Sequence, residues 1–91
     1  MLEKEIEVAV KDYARSKGWL AYKFTSPGHA FVPDGLFISP KGVVIFMEFK
    51  QLGKTATPGQ QREIDRINAH GVPCYVVDAV GLGRSLIDAN S

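Results

Sequence analysis

The sequence predicts an α/β fold, a mixed β-sheet flanked by helices, with the element order αβββαβα. Apolar residues recur at helical spacing near the start of the chain. Two short runs rich in β-branched and aromatic residues follow, and Pro40-Lys41-Gly42 separates them. A capped helical segment follows and precedes one more apolar run. Because strands joined through a helix are normally parallel, the hairpin and this crossover together predict a mixed sheet.

The first predicted helix covers residues 3–17. Ile6 and Val10 recur at helical spacing, acidic residues crowd the start of the segment, and basic residues crowd its end. Gly18 is a natural stop. A first strand is predicted directly afterwards, over residues 19–24, before a polar loop that contains turn residues.

A β-hairpin is predicted from residues 35–39 and 43–49. The loop Pro40-Lys41-Gly42 suits a three-residue turn with its glycine in the left-handed position. If the hairpin is symmetric about this loop, Asp34 lies opposite Glu48, with Cβ atoms roughly 4.5–5.5 Å apart. A two-residue loop would instead shift the register by one residue and turn Glu48 to the other face.

The predicted opposition of Asp34 and Glu48 points to a metal site. Two facing carboxylates repel each other and destabilise a sheet, whereas a divalent cation between them removes the conflict. Mg²⁺ is usually held by one or two carboxylates together with waters and substrate phosphate oxygens. Asp34 and Glu48 are therefore candidate ligands of Mg²⁺ or Mn²⁺. Alternation places Lys50 on the same face, about 7 Å beyond Glu48.

A second helix is predicted to begin at Thr57. Thr57 suits the N-cap, Pro58 the first helical position and Gln60 the third, which together describe a capping box. Capping accounts for Gln60 structurally. However, Gln60 shares one helical stripe with Ile64, and this predicts that it points toward the sheet near Lys50. The structural and functional interpretations of Gln60 both stay open.

A strand over residues 73–78 and a closing helix over residues 81–89 complete the predicted fold. The residues of this helix that are predicted to face inward are Leu82, Leu86 and Ile87. Cys74 is the single cysteine, so no intrachain disulfide can form. We interpret it as a small buried strand residue in a reducing compartment.

Composition indicates one domain, spanning residues 1–91, with a thin core that would gain from a partner subunit. The 11 basic and 10 acidic residues leave a formal net charge of +1, which is not the strongly basic signature of a non-specific DNA binder. No secretory signal or membrane span is predicted, because every uncharged apolar run is far shorter than ~18 residues.

The motifs resemble those of a known nuclease group. Pro33-Asp34 followed by Glu48-Phe49-Lys50 resembles the PD-(D/E)xK signature of the restriction-endonuclease-like nuclease superfamily. The run Lys-Phe-Thr-Ser-Pro-Gly at 23–28, followed by Val-Pro-Asp, is similar to the virus-type replication-repair nuclease (VRR-NUC) domain in its small, stand-alone phage form. The resemblance covers nearly the whole chain, but the chain lacks the long additional DNA-binding regions of larger repair nucleases.

The resemblance implies a Mg²⁺- or Mn²⁺-dependent endonuclease that hydrolyses phosphodiester bonds in DNA, selectively in branched DNA such as Holliday junctions. A phage-encoded protein of this kind would act in the cytoplasm of a bacterial host. Two alternatives are a non-catalytic DNA-binding module with the same fold and a small α/β scaffold whose acidic pair holds a structural ion. A degenerate nuclease should have lost part of the site, and no member of the site is missing.

The resemblance also implies roles for individual residues. Archaeal Holliday-junction resolvases carry a helical metal-site glutamate in a setting similar to that of Glu7, ahead of a similar Lys-Gly stop. The backbone carbonyl of Phe49 is implied as a further metal ligand, and Gln60 as a motif residue. Lys50 would orient the attacking water or neutralise the charge that develops on the phosphate.

Contacts with DNA and with a second subunit are also expected. The residues predicted to contact phosphate are Lys23, Ser26 and Lys54. His29 has two open interpretations, contact with DNA or a metal on one side and simple solvation on the other. A two-fold homodimer would match the approximate two-fold symmetry of a four-way junction, with Leu86 or Phe31 as candidate contacts.

Overall fold

The computed structural model describes all 91 residues, and its elements follow the predicted order αβββαβα. The helices are α1 (Glu3–Ser16), α2 (Pro58–Ala69) and α3 (Val80–Ala89), and the strands are β1 (Leu20–Lys23), β2 (Gly35–Ile38), β3 (Val44–Phe49) and β4 (Cys74–Val77). The α/β fold class is confirmed, and the predicted boundaries differ from these by no more than one residue. None of the three helices combines the length and the apolar character that a membrane crossing requires.

The four strands form one mixed sheet in the spatial order β1-β2-β3-β4. β1 pairs antiparallel with β2, and β2 pairs antiparallel with β3. β4 pairs parallel with β3 after the crossover through α2, as predicted. A parallel pair of this kind requires a long connection, and α2 provides it.

The β2–β3 hairpin has the predicted three-residue loop. The Ser39 amide donates to the Val43 carbonyl at 2.8 Å, and the Gly42 amide donates to the Ser39 carbonyl at 2.9 Å. Gly42 has a φ of 84°, the left-handed conformation expected of it. The strand register pairs Gly35 with Met47, and one step further along Asp34 lies opposite Glu48. The predicted register is confirmed.

The two faces of the sheet have different coverings. Alternate residues of β3, Ile45, Met47 and Phe49, belong to a buried core with α1 and α3. Phe46 and Glu48 project from the opposite face, where Phe46 lines a groove with residues of α2. The core cluster consists of Ile6, Val10, Ala14, Trp19, Ala21, Phe37, Ile45, Met47, Phe49, Val77 and Ile87.

Helices α1 and α3 approach each other closely at Gly83. A Cβ at this position would collide with the Val10 side chain, so the helix contact depends on glycine. The inward face of α3 therefore runs through Gly83 and Ile87, which are both buried. The prediction that Leu82 faces inward was wrong, because Leu82 is 42% exposed on the outer side of the helix.

Candidate active site

The carboxylates of Asp34 and Glu48 are joined through each other's backbone. The Asp34 amide donates to Glu48 Oε2 at 3.2 Å. In the reciprocal contact, the Phe49 amide donates to Asp34 Oδ2 at 3.0 Å. These bonds occur where β2 begins and β3 ends, so the hairpin register itself holds the two acidic side chains together.

Burial beside Asp34 changes the acidity of Glu48. Glu48 is only 3% exposed, and its pKa rises from 4.5 to about 8. Loss of solvation is the largest cause, followed by the hydrogen bond of its side chain with the Asp34 carboxylate and by the negative charge of that carboxylate, while the positive charge of Lys50 and the Asp34 backbone amide lower the pKa. Glu48 therefore holds a proton near neutral pH unless another positive charge replaces it.

The free oxygens of this pair fit a hard divalent cation. The backbone bonds use Oδ2 of Asp34 and Oε2 of Glu48, which leaves one oxygen on each carboxylate without a protein donor. Every fully buried side-chain oxygen in the structure has a hydrogen-bond partner. Because these two oxygens have none, they are accessible to solvent. No third Asp, Glu, His or Cys side chain joins the pair. Two carboxylates completed by water and phosphate oxygens are a common Mg²⁺ environment.

Lys50 and Phe49 extend the site along the chain. The Lys50 amide donates to the Val77 carbonyl at 2.9 Å, which fixes the backbone just beyond the end of β3. The Lys50 side chain has no ion-pair partner, although its positive charge lowers the pKa of Glu48. The Phe49 ring is fully buried and anchors this segment in the core. The role of the Phe49 carbonyl as a ligand stays a prediction.

Gln60 forms the predicted capping box with Thr57. The Gln60 amide donates to Thr57 Oγ1 at 3.3 Å, and the Thr57 amide donates to Gln60 Oε1 at 3.0 Å. The structural interpretation of Gln60 is therefore confirmed. Its Nε2 group has no protein partner, so capping leaves a donor available for a substrate oxygen. The functional interpretation stays a prediction.

Glu7 lies apart from the Asp34–Glu48 pair. It belongs to α1, which packs on the opposite face of the sheet, and its Oε2 accepts a hydrogen bond from Lys11 Nζ at 2.6 Å. Lys11 is 8% exposed. Sequence reasoning missed this buried lysine, although its spacing of four residues from Glu7 is that of a helical ion pair. A metal-site role for Glu7 stays a prediction.

The three residues predicted to contact phosphate lie on different parts of the surface. Lys23 lines an open groove of about 370 Å³ together with Glu7 and Lys11. Ser26 lines a different groove, beside α2. Lys54 is exposed in the turn after β3, where its amide donates to the Gln51 carbonyl at 2.9 Å. The backbone of Lys23 pairs with Gly35, the neighbour of Asp34, but its side chain lies on the α1 side of the sheet, so the structure brings none of the three side chains to the carboxylate pair.

His29 has a partner that the sequence did not reveal. Its Nε2 lies 2.8 Å from Oε1 of Glu63 on α2. Glu63 also contacts Arg66 at 3.5 Å. The histidine therefore ties the loop before Asp34 to α2, a structural role that differs from both sequence-based interpretations.

Comparison with known proteins gives consistent likenesses, although no family model matches the sequence. The chain is 41% identical over 88 residues to the protein named "Putative nuclease p44" of Acyrthosiphon pisum secondary endosymbiont phage 1, covering 97% of this chain and 95% of that protein. A solved "VRR_NUC domain" superposes with a TM-score of 0.89 at 29% identity, over 98% of this chain and 97% of that one. A "VRR_NUC domain protein" shares the fold, with a TM-score of 0.78 at 18% identity over 99% of this chain and 88% of its own. With the opposed carboxylates at the positions that the motif requires, these likenesses show that the chain belongs to the VRR-NUC family of nuclease domains.

Proposed function

We propose that the chain is a Mg²⁺- or Mn²⁺-dependent endodeoxyribonuclease and that residues 1–91 form one nuclease domain. The observation that carries this proposal is the Asp34–Glu48 pair, in which Glu48 is buried and Asp34 is half-buried. Holding two carboxylates side by side in such surroundings is costly in the metal-free protein, and each retains one oxygen without a protein donor. A cation explains both features, and the family likeness supports DNA as the substrate.

Each residue of the site would have a different role in hydrolysis of the phosphodiester bond. Asp34, Glu48 and the Phe49 carbonyl would hold a divalent ion. When bound, the ion would supply Lewis-acid polarisation of the phosphoryl oxygen and of the attacking water. Lys50 orients the attacking water or stabilises the negative charge of the transition state. Nε2 of Gln60 donates to a phosphate oxygen.

Glu7 has a more distant role in the proposal. We place it at a second ion or at a water of the first ion. Oε2 of Glu7 accepts from Lys11 at 2.6 Å, so the other oxygen of the Glu7 carboxylate would serve this role. Lys23, Ser26 and Lys54 would contact the DNA backbone around the site.

A divalent-ion cleavage assay on plasmid DNA and on synthetic branched DNA tests this function. Wild-type protein should cut with Mg²⁺ or Mn²⁺ and not with EDTA. Asp34→Asn and Glu48→Gln should each abolish cutting. The exposed carboxylate of Asp65, on α2, provides a matched control, since Asp65→Asn removes the same charge outside the site and should cut normally. Full activity of Asp34→Asn or Glu48→Gln in Mg²⁺ would refute the site assignment.

We further propose a two-fold homodimer that acts on four-way junctions in the cytoplasm of a bacterial host. A chain of 91 residues with a net charge of +1 binds DNA weakly alone, whereas two copies double the phosphate contacts. Half-buried Leu86 and exposed Phe31 are the candidate contacts. Light scattering should show twice the 10.0 kDa chain mass. A single-chain mass with cleavage of flaps and not of junctions would refute the dimer and leave the metal site standing.

A further inference from the structure

Phe31 has a backbone conformation that bulky residues rarely adopt. Its φ is 69°, and every other residue with positive φ in the chain is a glycine. A left-handed residue with a large side chain is an outlier, and strain of this kind concentrates at binding and catalytic sites. Burial does not explain the strain, since Phe31 is 54% exposed. The conformation instead holds an aromatic ring at the surface.

The ring of Phe31 rests on the first turn of α2. A Cβ on Gly59 would lie 2.7 Å from the nearest ring atom, so only glycine admits the ring at this distance. The loop is fixed to the same helix a second time, because His29 contacts Glu63 at 2.8 Å. These two contacts place the loop and the Phe31 ring against α2, where the ring forms an exposed platform.

The platform is bordered by positive charge. Phe31, Arg62 and Arg66 line one open groove of about 330 Å³, which we call the Phe31 groove. Glu63 is the acidic residue of this groove, and it is already in contact with Arg66 and His29. Arg62 forms no ion pair. The groove therefore combines an exposed aromatic ring with an uncompensated cation.

We propose that the Phe31 groove binds an unpaired nucleotide of the DNA substrate, an inference that rests on the proposed nuclease function. The base stacks on Phe31, and the adjoining phosphates lie at Arg62 and Arg66. Aromatic rings interleaved with cations are the usual means of holding single strands. Phe31 precedes Asp34 by three residues, so their Cα atoms are at most about 11 Å apart. The groove thus favours branched DNA, a flap or a junction, whose branch point leaves a nucleotide unpaired beside the cleaved phosphate.

Charge favours DNA over a second protein chain as the occupant. A two-fold symmetric contact centred on Phe31 would bring each arginine of the groove near the same arginine of the second subunit. Like charges that face each other across an interface cost free energy. The phosphates of a DNA strand instead complement Arg62 and Arg66, and of the two candidate subunit contacts this leaves Leu86.

Binding measured in EDTA tests this inference without any cleavage. The probes are a labelled duplex with a short unpaired flap and a labelled, fully paired duplex of equal length. Fluorescence anisotropy measures the binding of each probe. Phe31→Ala should weaken flap binding by roughly 5- to 150-fold, the range for loss of one base–aromatic stack, and leave paired-duplex binding nearly unchanged. Leu82→Ala, which truncates an exposed apolar residue on α3, is the matched control and should bind both DNAs normally.

Two further variants of Phe31 separate stacking from packing. Phe31→Leu and Phe31→Trp both keep an apolar side chain against Gly59, and thermal melting checks that they fold. Stacking requires that Trp retain flap binding and that Leu lose it. Arg62→Gln should lower the salt dependence of flap binding by about one phosphate contact.

Several results would overturn the inference. One is wild-type flap binding by Phe31→Leu, and another is an equal loss on both DNAs in Phe31→Ala. A change from dimer to monomer in Phe31→Ala by light scattering would assign the ring to a subunit contact. Failure of the wild-type protein to bind either DNA would overturn the proposed function as well, whereas binding of both without selectivity overturns the nucleotide site alone.

Discussion

Replacing Glu48 with glutamine should stabilise the metal-free protein in a way that depends on pH. Glu48→Gln keeps the size of the side chain and its acceptor for the Asp34 amide, but it removes the ionisable group. The folded protein raises the pKa of Glu48 from 4.5 to about 8, chiefly through burial. The native state therefore binds this proton more tightly than the unfolded chain does. It follows that native stability falls as the pH rises.

The size of the effect follows from the two pKa values. Below pH 4.5 the carboxyl is protonated in both states, so it imposes no penalty on folding. Between pH 4.5 and about 8 the unfolded chain loses this proton and the native protein keeps it. The free energy of unfolding therefore falls by ~1.4 kcal/mol for each pH unit. Above the native pKa the penalty is constant. Between about pH 5 and about pH 8, wild type should lose ~3 kcal/mol of stability relative to Glu48→Gln.

Chemical denaturation in EDTA at a series of pH values measures this difference. The gap between Glu48→Gln and wild type should widen across the stated window and then level off. Asp65→Asn serves as the control, because its carboxylate is exposed on α2 and keeps its solvation in the folded protein. Added Mg²⁺ should narrow the gap by stabilising wild type alone, since ligands that bind the native state raise its stability.

Two results would contradict this reasoning. A gap that does not change between about pH 5 and about pH 8 would show that Glu48 ionises without a penalty in the native protein. Stabilisation of Glu48→Gln by Mg²⁺ equal to that of wild type would place the ion elsewhere. The second result would refute the metal site even if the first did not occur.

The remaining predictions concern three residues around the site. Lys50→Ala should lower the single-turnover rate ~10²-fold or more while DNA affinity changes little, and a parallel collapse of affinity would make Lys50 a binding residue. Gln60→Ala should cost about 1 kcal/mol in denaturant melts through loss of half the capping box and should also slow cleavage, whereas wild-type turnover by Gln60→Glu would favour capping alone. Gly59→Ala should destabilise the protein by about 1–3 kcal/mol through collision with Phe31. In a Phe31→Ala background the same change should become stabilising by about 0.5–1 kcal/mol, which a double-mutant cycle would measure.

The hairpin is the part of the site that sequence determines most completely. A three-residue loop ending in glycine fixes the register, and the register alone places Asp34 opposite Glu48. Local turn chemistry therefore encodes a contact between residues 14 positions apart in the chain. The capping box of Thr57 and Gln60 was predictable for the same reason, because both partners lie within one helical turn.

Contacts between separate elements were not predictable in this way. Leu82 is apolar and was predicted inward, yet the α1–α3 contact is made at Gly83, where the absence of a side chain permits close approach. The contact of His29 with Glu63 depends on how a loop packs on α2, whereas the Glu7–Lys11 pair lies within α1 and its spacing of four residues could have revealed it. Hydrophobic periodicity gives no information about a contact made by a missing Cβ or by a polar pair between separate elements.

In the proposed metal site, the Asp34–Glu48 pair would link metal binding, proton binding and folding in one structural unit. Each carboxylate accepts an amide from the other's strand, so neither can turn away from its neighbour without breaking a hydrogen bond of the hairpin. At neutral pH this constraint leaves Glu48 protonated, since its pKa is about 8. A divalent ion would require the deprotonated ligand, so it would displace that proton and take over its part in neutralising the two carboxylates. Above the pKa of Glu48 the two carboxylates repel each other, and the stability that ion binding restores should be greatest there, because the proton is already lost.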